Sequence, residues 1–199
     1  MISREAFWYL MPIGIIAAIL QFEFPLFSIP FWSLVIFLGY LFRNPIYDYS
    51  SDPLGIVSPV DSLVTSISKA TDPYMKRNAL RIEFDMDLTD PYILRSVTEG
   101  KIANVWMRHP TSEDKSKVRA ARIQTDEGDD AVMEVHPSRS HQIMCYYAAG
   151  ERVGQGKKCG FLPFGSKVVI YLPEHSIVEV KPGERVLAGK DIIAHWPRS

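Results

Sequence analysis

Two charge-free apolar runs at the start of the chain restrict what its first part can fold into. Residues 6–22 are 17 positions without a charge, residues 24–42 are another 19, and Glu23 alone stands between them. The hydrocarbon core of a bilayer takes about 20 helical residues, with about 17 as the lower limit. Each run is therefore a marginal span, and together they predict an apolar α-helical membrane hairpin over residues 1–43. Aromatic residues Phe7, Trp8, Tyr9, Tyr40 and Phe42 fall at the outer ends, where an interfacial belt would place them. Arg4 and Arg43 flank the pair, and the positive-inside tendency puts that side in the cytoplasm, on an inner cell membrane. The N-terminus has no basic segment followed by a small-residue cleavage site, so a removable signal peptide is not expected. Pro12, Pro25 and Pro30 argue against two straight helices, which makes a re-entrant or in-plane hairpin the alternative to a crossing. A buried core hairpin of a soluble protein is the third possibility.

From residue 44 the texture changes, and residues 44–199 read as one β-rich domain. Short β-branched and apolar runs bounded by Gly, Pro, Asp and Ser predict strands over 55–57, 62–67, 80–84, 101–107, 117–124, 131–135, 141–147, 167–172, 177–180 and 192–194. So many short strands predict a mainly β barrel or sandwich. Residues 88–96 carry the one helical signal, with Thr89 or Asp90 as N-cap and Pro91 at the first position. Residues 178–194 read strand, Pro-Gly turn, strand, Ala-Gly turn, strand. That pattern resembles the hammerhead of biotinyl and lipoyl-type barrel-sandwich domains, though the lysine those carriers modify is missing. The formal net charge of −1 gives no basic surface for nucleic acid. Cys145 and Cys159 have no metal-ligand spacing, and two thiols make no disulfide framework.

Three segments then carry a more specific signal. Leu41-Phe42-Arg43-Asn44-Pro45 closes the apolar region, Ser58-Pro59-Val60-Asp61-Ser62 follows, and residues 156–173 read GKKCGFLPFGSKVVIYLP. In order and spacing they resemble the phosphatidylserine decarboxylase family, particularly its short members. There the corresponding blocks are Phe-Phe-Arg-Asp-Pro, Ser-Pro-Ala-Asp-Gly, and a glycine-basic-glycine stretch leading into Phe-Gly-Ser-Arg and Leu-Pro.

The resemblance implies a proenzyme that cuts itself between Gly165 and Ser166. Ser166 Oγ attacks the Gly165 carbonyl, and the peptide C–N bond gives way to an ester. Elimination from that ester leaves a dehydroalanine, which hydrolyses to a pyruvoyl group, the family's self-made cofactor. Glycine at 165 leaves the attacked carbonyl uncrowded. A hydroxyl nucleophile of this kind needs a base for its proton and donors for the developing oxyanion. The pyruvoyl ketone then serves as electron sink for decarboxylation of an aminophospholipid such as phosphatidylserine. The implied partners are a phospholipid membrane, the aminophospholipid substrate and the chain's own large and small fragments. A homo-oligomer is compatible with all of this.

The family's histidine, in a short Asp-Val-His or Asp-Tyr-His segment, has its best counterpart in residues 90–100. Arg95 and Gly100 fit, but Tyr92 holds the histidine position and Val97 that of a proline. Tyrosine, with a reference pKa of about 10, is a poor base at neutral pH. Three outcomes stay open. Asp61 acts as the processing base, alone or through water; His136 or His141 takes over the histidine's role; or the chain stays unprocessed and binds a phospholipid or a protein partner without catalysis. A carrier or adaptor module of the barrel-sandwich kind is a further rival. Tyr92, Arg95 and Lys167 are the substrate-binding candidates, and Arg139, Lys157 and Lys158 could also meet a phosphate. His109, His175 and His195 lie in loop-like or terminal contexts and receive no chemistry.

Overall fold

The computed structural model describes residues 7–45, 47, 52–107, 118–137, 144–146, 148–162 and 166–197. The chain divides into two compact units, Met1–Ile46 and Tyr47–Ser199.

The first unit holds two helices, α1 (Phe7–Glu23) and α2 (Pro25–Leu41), which pack against each other. Phe24 interrupts them with φ −141° and ψ 76°, and Pro25 occupies the start of α2, where its missing N–H costs nothing. The helices are cross-tied by Trp32 Nε1, which donates to Gln21 Oε1 at 3.1 Å. Tyr9 stacks on Phe42 with ring centroids 5.2 Å apart. Large apolar side chains are nevertheless exposed on both helices, among them Trp8, Ile19, Phe22, Leu26, Phe27 and Ile36. Each helix has 17 residues, about 26 Å at 1.5 Å per residue, against a hydrocarbon core of about 30 Å. Among the described residues no helix is long and apolar enough to cross a membrane. The helical hairpin expected from the sequence is present, and its helices stop short of a crossing.

The second unit is built from strands β1 (Gly55–Val57), β2 (Ser62–Asp72), β3 (Arg77–Asp85), β4 (Ile93–Arg95), β5 (Gly100–Trp106), β6 (Arg119–Gln124) and β7 (Asp130–Pro137). It continues with β8 (Met144–Cys145), β9 (Arg152–Val153), β10 (Lys158–Phe161), β11 (Ser166–Pro173), β12 (Ile177–Val178), β13 (Arg185–Val186) and β14 (Ile192–His195). Eight of them form one sheet in the order β13-β2-β3-β11-β7-β6-β5-β9. Two three-stranded sheets, β1-β14-β12 and β4-β10-β8, complete the unit. The described pairings are all antiparallel. The near-continuous apolar run of β11 is explained by its place: it lies between β3 and β7, and Val168, Val169, Ile170 and Leu172 are wholly buried. At Gly100 a Cβ would stand 2.3 Å from the Gln124 carbonyl oxygen, so the close approach of β5 and β6 there needs glycine.

The helix expected over residues 88–96 is not formed. Residues 88–90 make a turn, and Ile93–Arg95 becomes β4, paired with β10. Asp90 serves the turn instead of a helix start: its Oδ2 accepts the Asp87 N–H at 2.8 Å. Tertiary pairing of Ile93 and Leu94, both buried, overrides the local capping signal. In the C-terminal pattern β12 and β14 pair with each other, whereas β13 joins β2 in the large sheet.

Candidate active site

Ser166 is the first residue of β11 and is 3% exposed. Its carbonyl accepts the Met86 N–H at 3.2 Å, and it stands opposite Pro137 on β7. Leu63, Asp85 and Lys167 form one row across β2, β3 and β11. One step toward the strand end, the next row is therefore Ser62, Met86 and Ser166. Successive side chains alternate faces, so Ser166 shares its face with Val168 and Ile170 and not with Lys167.

Asp61 immediately precedes Ser62, at the same end of this sheet and 5% exposed. β3 separates its strand from β11, a lateral step of about 10 Å at ordinary strand spacing. Its Oδ2 accepts the Tyr47 hydroxyl at 2.7 Å, and its Oδ1 accepts the Ala188 N–H at 2.7 Å. Burial pushes the Asp61 carboxyl above the ordinary carboxylate range, and the negative charge of Asp90 adds to the lift. The two hydrogen bonds and the Arg95 charge oppose it without cancelling it. Asp90, 4% exposed, is ion-paired with Arg185.

The Ser-Pro-Val-Asp-Ser segment is held on both sides. Ser58 donates its N–H to the Asp191 carbonyl at 2.9 Å and accepts the Gly189 N–H at 2.8 Å. The Pro59 carbonyl accepts the Arg95 N–H at 2.8 Å. Arg95 in turn reaches the Gly156 carbonyl through its guanidinium at 3.1 Å, and Ser96 exchanges backbone hydrogen bonds with Gly156 and Lys157 at 2.9 Å each. Leu162 donates its N–H to the Tyr92 carbonyl at 2.9 Å. The motif blocks around Asp61, Arg95 and Gly156 are thus knitted together by backbone bonds, and the last block runs on in sequence to Ser166.

Tyr92 is 1% exposed, and its hydroxyl donates to the Leu88 carbonyl at 2.6 Å. Burial, reinforced by the Asp90 charge, pushes its phenol further up from its ordinary value, away from any use as a base. Arg95 is buried beside this cluster. Lys167 is ion-paired with Glu83, which also pairs with Arg81. Burial alone would raise Glu83, but Lys167 and Arg81 outweigh it and hold the carboxyl below its usual value. His136 stands opposite Lys167, and its Nε2 lies 3.0 Å from Glu134 Oε1. Strand alternation puts it on the face opposite Ser166. The structure therefore brings Asp61, Tyr92 and Arg95 to one buried cluster at the Ser166 end of the sheet, and places Lys167 and His136 on the other face. Gly165, His141 and Arg139 lie outside the described residues.

The residues around Asp61 that sequence reasoning missed are Tyr47 and Arg185. Tyr47 precedes Asp61 by 14 positions and Arg185 follows Asp90 by 95, so no local spacing marks either contact. A second polar cluster sits beside a cavity of about 300 Å³: His195 lies between Asp52 at 3.1 Å and Glu179 at 3.3 Å. Among the described residues no group of metal-ligating side chains is present.

Comparison with known proteins agrees with the segments that line this site. The family model described as phosphatidylserine decarboxylase matches residues 34–194. A phosphatidylserine decarboxylase proenzyme of Nitrosomonas europaea is 28% identical, over 98% of this chain and 95% of the relative. One of Burkholderia cenocepacia is 30% identical, over 97% of this chain and 95% of the relative. One of Aromatoleum aromaticum is 30% identical, over 85% of this chain and 83% of the relative. No solved structure matches the chain. The match takes in Asp61, Arg95 and Ser166 within one continuous stretch, and the chain belongs to the phosphatidylserine decarboxylase family.

Proposed function

We propose that this chain is a self-processing carboxy-lyase that converts phosphatidylserine to phosphatidylethanolamine and carbon dioxide. The observation that carries the proposal is the gathering of the family's motif segments around the strand end that holds Ser166. Ser166 fits the pyruvoyl precursor: it opens a central strand, is buried, and has its carbonyl held by Met86. The pyruvoyl group supplies the electron sink that a decarboxylation needs. The chain's own residues do the rest. The sheet fixes the C-terminal side of the bond to be cut. Asp61, with its raised proton affinity, takes the Ser166 proton through a chain of waters that passes β3, since one water alone does not span the step of about 10 Å between their strands. Arg95, positive and buried next to Asp61, orients the substrate's acidic head group. The alternative of an unprocessed lipid-binding relative rests on Tyr92 at the family's histidine position; the decarboxylase relatives do not favour it.

The helical hairpin belongs to the same reading. Its apolar side chains are exposed all round, as in helices whose solvent is lipid. The hairpin lies in the cytoplasmic leaflet of the inner membrane and delivers the β unit to a substrate that never leaves the bilayer. The passage of the chain from β12 through β13 in the large sheet and back to β14, by way of the Pro-Gly and Ala-Gly turns, supports a barrel-sandwich arrangement of that unit. The test is decarboxylation of phosphatidylserine in vesicles. Carbon dioxide release that is lost on treatment with a ketone reagent such as hydroxylamine supports the proposal. A cleaved chain that leaves phosphatidylserine unchanged overturns it. Flotation with the same vesicles, lost when residues 1–42 are removed, tests the hairpin.

A further inference from the structure

Residues 185–188 do two jobs within four positions. β13 pairs with the start of β2, Val186 opposite Ser62. This places the Ala188 N–H on Asp61 and the Arg185 guanidinium on Asp90. Tyr47 closes the other side of Asp61 with a hydroxyl that donates to Oδ2 at 2.7 Å. From this geometry we infer that Tyr47 and the Asp90–Arg185 pair are positioning residues that set the proton affinity of Asp61 and hence the pH at which the chain cuts itself. The inference rests on the reading of Asp61 as the processing base.

The charged and titratable groups that face Asp61 are Tyr47, Asp90 and Arg95, with Arg185 acting on it through Asp90. Each pushes in a known direction. A hydroxyl donating to a carboxylate favours the ionised form, so its loss makes the carboxylate hold its proton more tightly. An uncompensated carboxylate nearby does the same, and a neutral amide in its place does the opposite. Arg185 cancels part of the Asp90 charge. Removing Arg185 therefore raises the proton affinity of Asp61, and neutralising Asp90 lowers it. Two substitutions within one ion pair have opposite effects on a third residue, an outcome that loss of packing does not produce.

The experiment follows self-cleavage of the full chain in detergent across pH, by gel or intact mass, for the wild type and the variants Tyr47→Phe, Arg185→Gln, Asp90→Asn and Asp61→Asn. The wild-type rate rises with pH to a plateau. Tyr47→Phe moves the midpoint of that rise upward by about one pH unit, as expected for a lost hydrogen bond to a charged group. Arg185→Gln also moves it upward, and Asp90→Asn moves it downward. Asp61→Asn abolishes cleavage. Variants slowed equally at every pH, with the midpoint unmoved, overturn the inference and leave the role of Asp61 standing. Arg185→Gln and Asp90→Asn moving the midpoint the same way does likewise. Asp61→Asn cutting like the wild type, or a wild-type chain that stays whole, overturns the reading of Asp61 and the inference together. Melting curves of each variant show whether a lost rate comes from a lost fold.

Discussion

Met86 donates its backbone N–H to the carbonyl of Ser166 at 3.2 Å, just beyond the last residue of β3. The serine of the Gly165-Ser166 pair is thus already a sheet residue, with strands on both sides of it. A nucleophilic hydroxyl gains from such anchoring, because its own backbone is already held by the sheet.

His136 is expected to be dispensable for processing. It stands opposite Lys167, one position from the Ser166 row, so its side chain emerges on the other face. His136→Ala is expected to cleave within about twofold of the wild-type rate, a factor of ten being 1.36 kcal/mol in barrier. A loss of a hundredfold or more, at unchanged melting temperature, would contradict the face assignment.

The Tyr92 hydroxyl donates to the Leu88 carbonyl, and a structural role is expected for it. Tyr92→Phe keeps the ring that packs edge-on against Phe161 at 6.2 Å and loses one buried hydrogen bond, worth about 1 kcal/mol. The expected result is a slightly lower denaturation midpoint in urea with self-cleavage retained. Abolished cleavage would show that the phenol takes part in the chemistry.

The Lys167–Glu83 pair makes stability depend on acid. Glu83 is held below its unfolded value by Lys167 and Arg81. A depressed carboxyl contributes stability above its unfolded pKa and loses it as pH falls through the folded one. Lys167→Met should therefore lower stability at neutral pH by about 0.5–1 kcal/mol, since Lys167 is 43% exposed. The difference from wild type should begin to shrink near the ordinary glutamate value of about 4.3 and vanish as the pH falls through the lowered folded value. A difference that persists unchanged at pH 3 would trace the loss to packing instead.

Asp61 has the opposite sign. Burial lifts its carboxyl above the unfolded value, so the ionised form strains the fold at neutral pH and the strain fades as pH falls through the raised value. Asp61→Asn is expected to melt higher than wild type at pH 7, with the gain shrinking on acidification. A variant less stable than wild type at pH 7 would mean that the Tyr47 and Ala188 bonds outweigh the cost of burial.

How far the sequence discloses the molecule depends on whether the signal is local. The strand at 167–172 and the glycine at 100 follow from short-range pattern, and the helical hairpin follows from two uninterrupted apolar runs. Residues 88–96 mislead because an N-cap signature is satisfied by a turn as readily as by a helix, and the outcome is decided by β10, more than 60 positions away. Ser166 and Asp61 are legible through motif context. Tyr47 and Arg185 are not, because no local pattern marks the Tyr47–Asp61 contact and Arg185 meets Asp90 from a strand 95 positions away. The histidine candidates show the limit of residue type as a guide: sheet register decides which face a side chain takes, and a single-position offset separates His136 from Ser166.

The most direct test of the account is the intact mass of the purified chain, with and without Ser166→Ala. Two fragments are expected from the wild type, one ending at residue 165 and one beginning at residue 166, the smaller with a blocked, ketone-reactive N-terminus. Ser166→Ala stays whole. A wild-type chain that remains a single uncut species for days in detergent or lipid contradicts it.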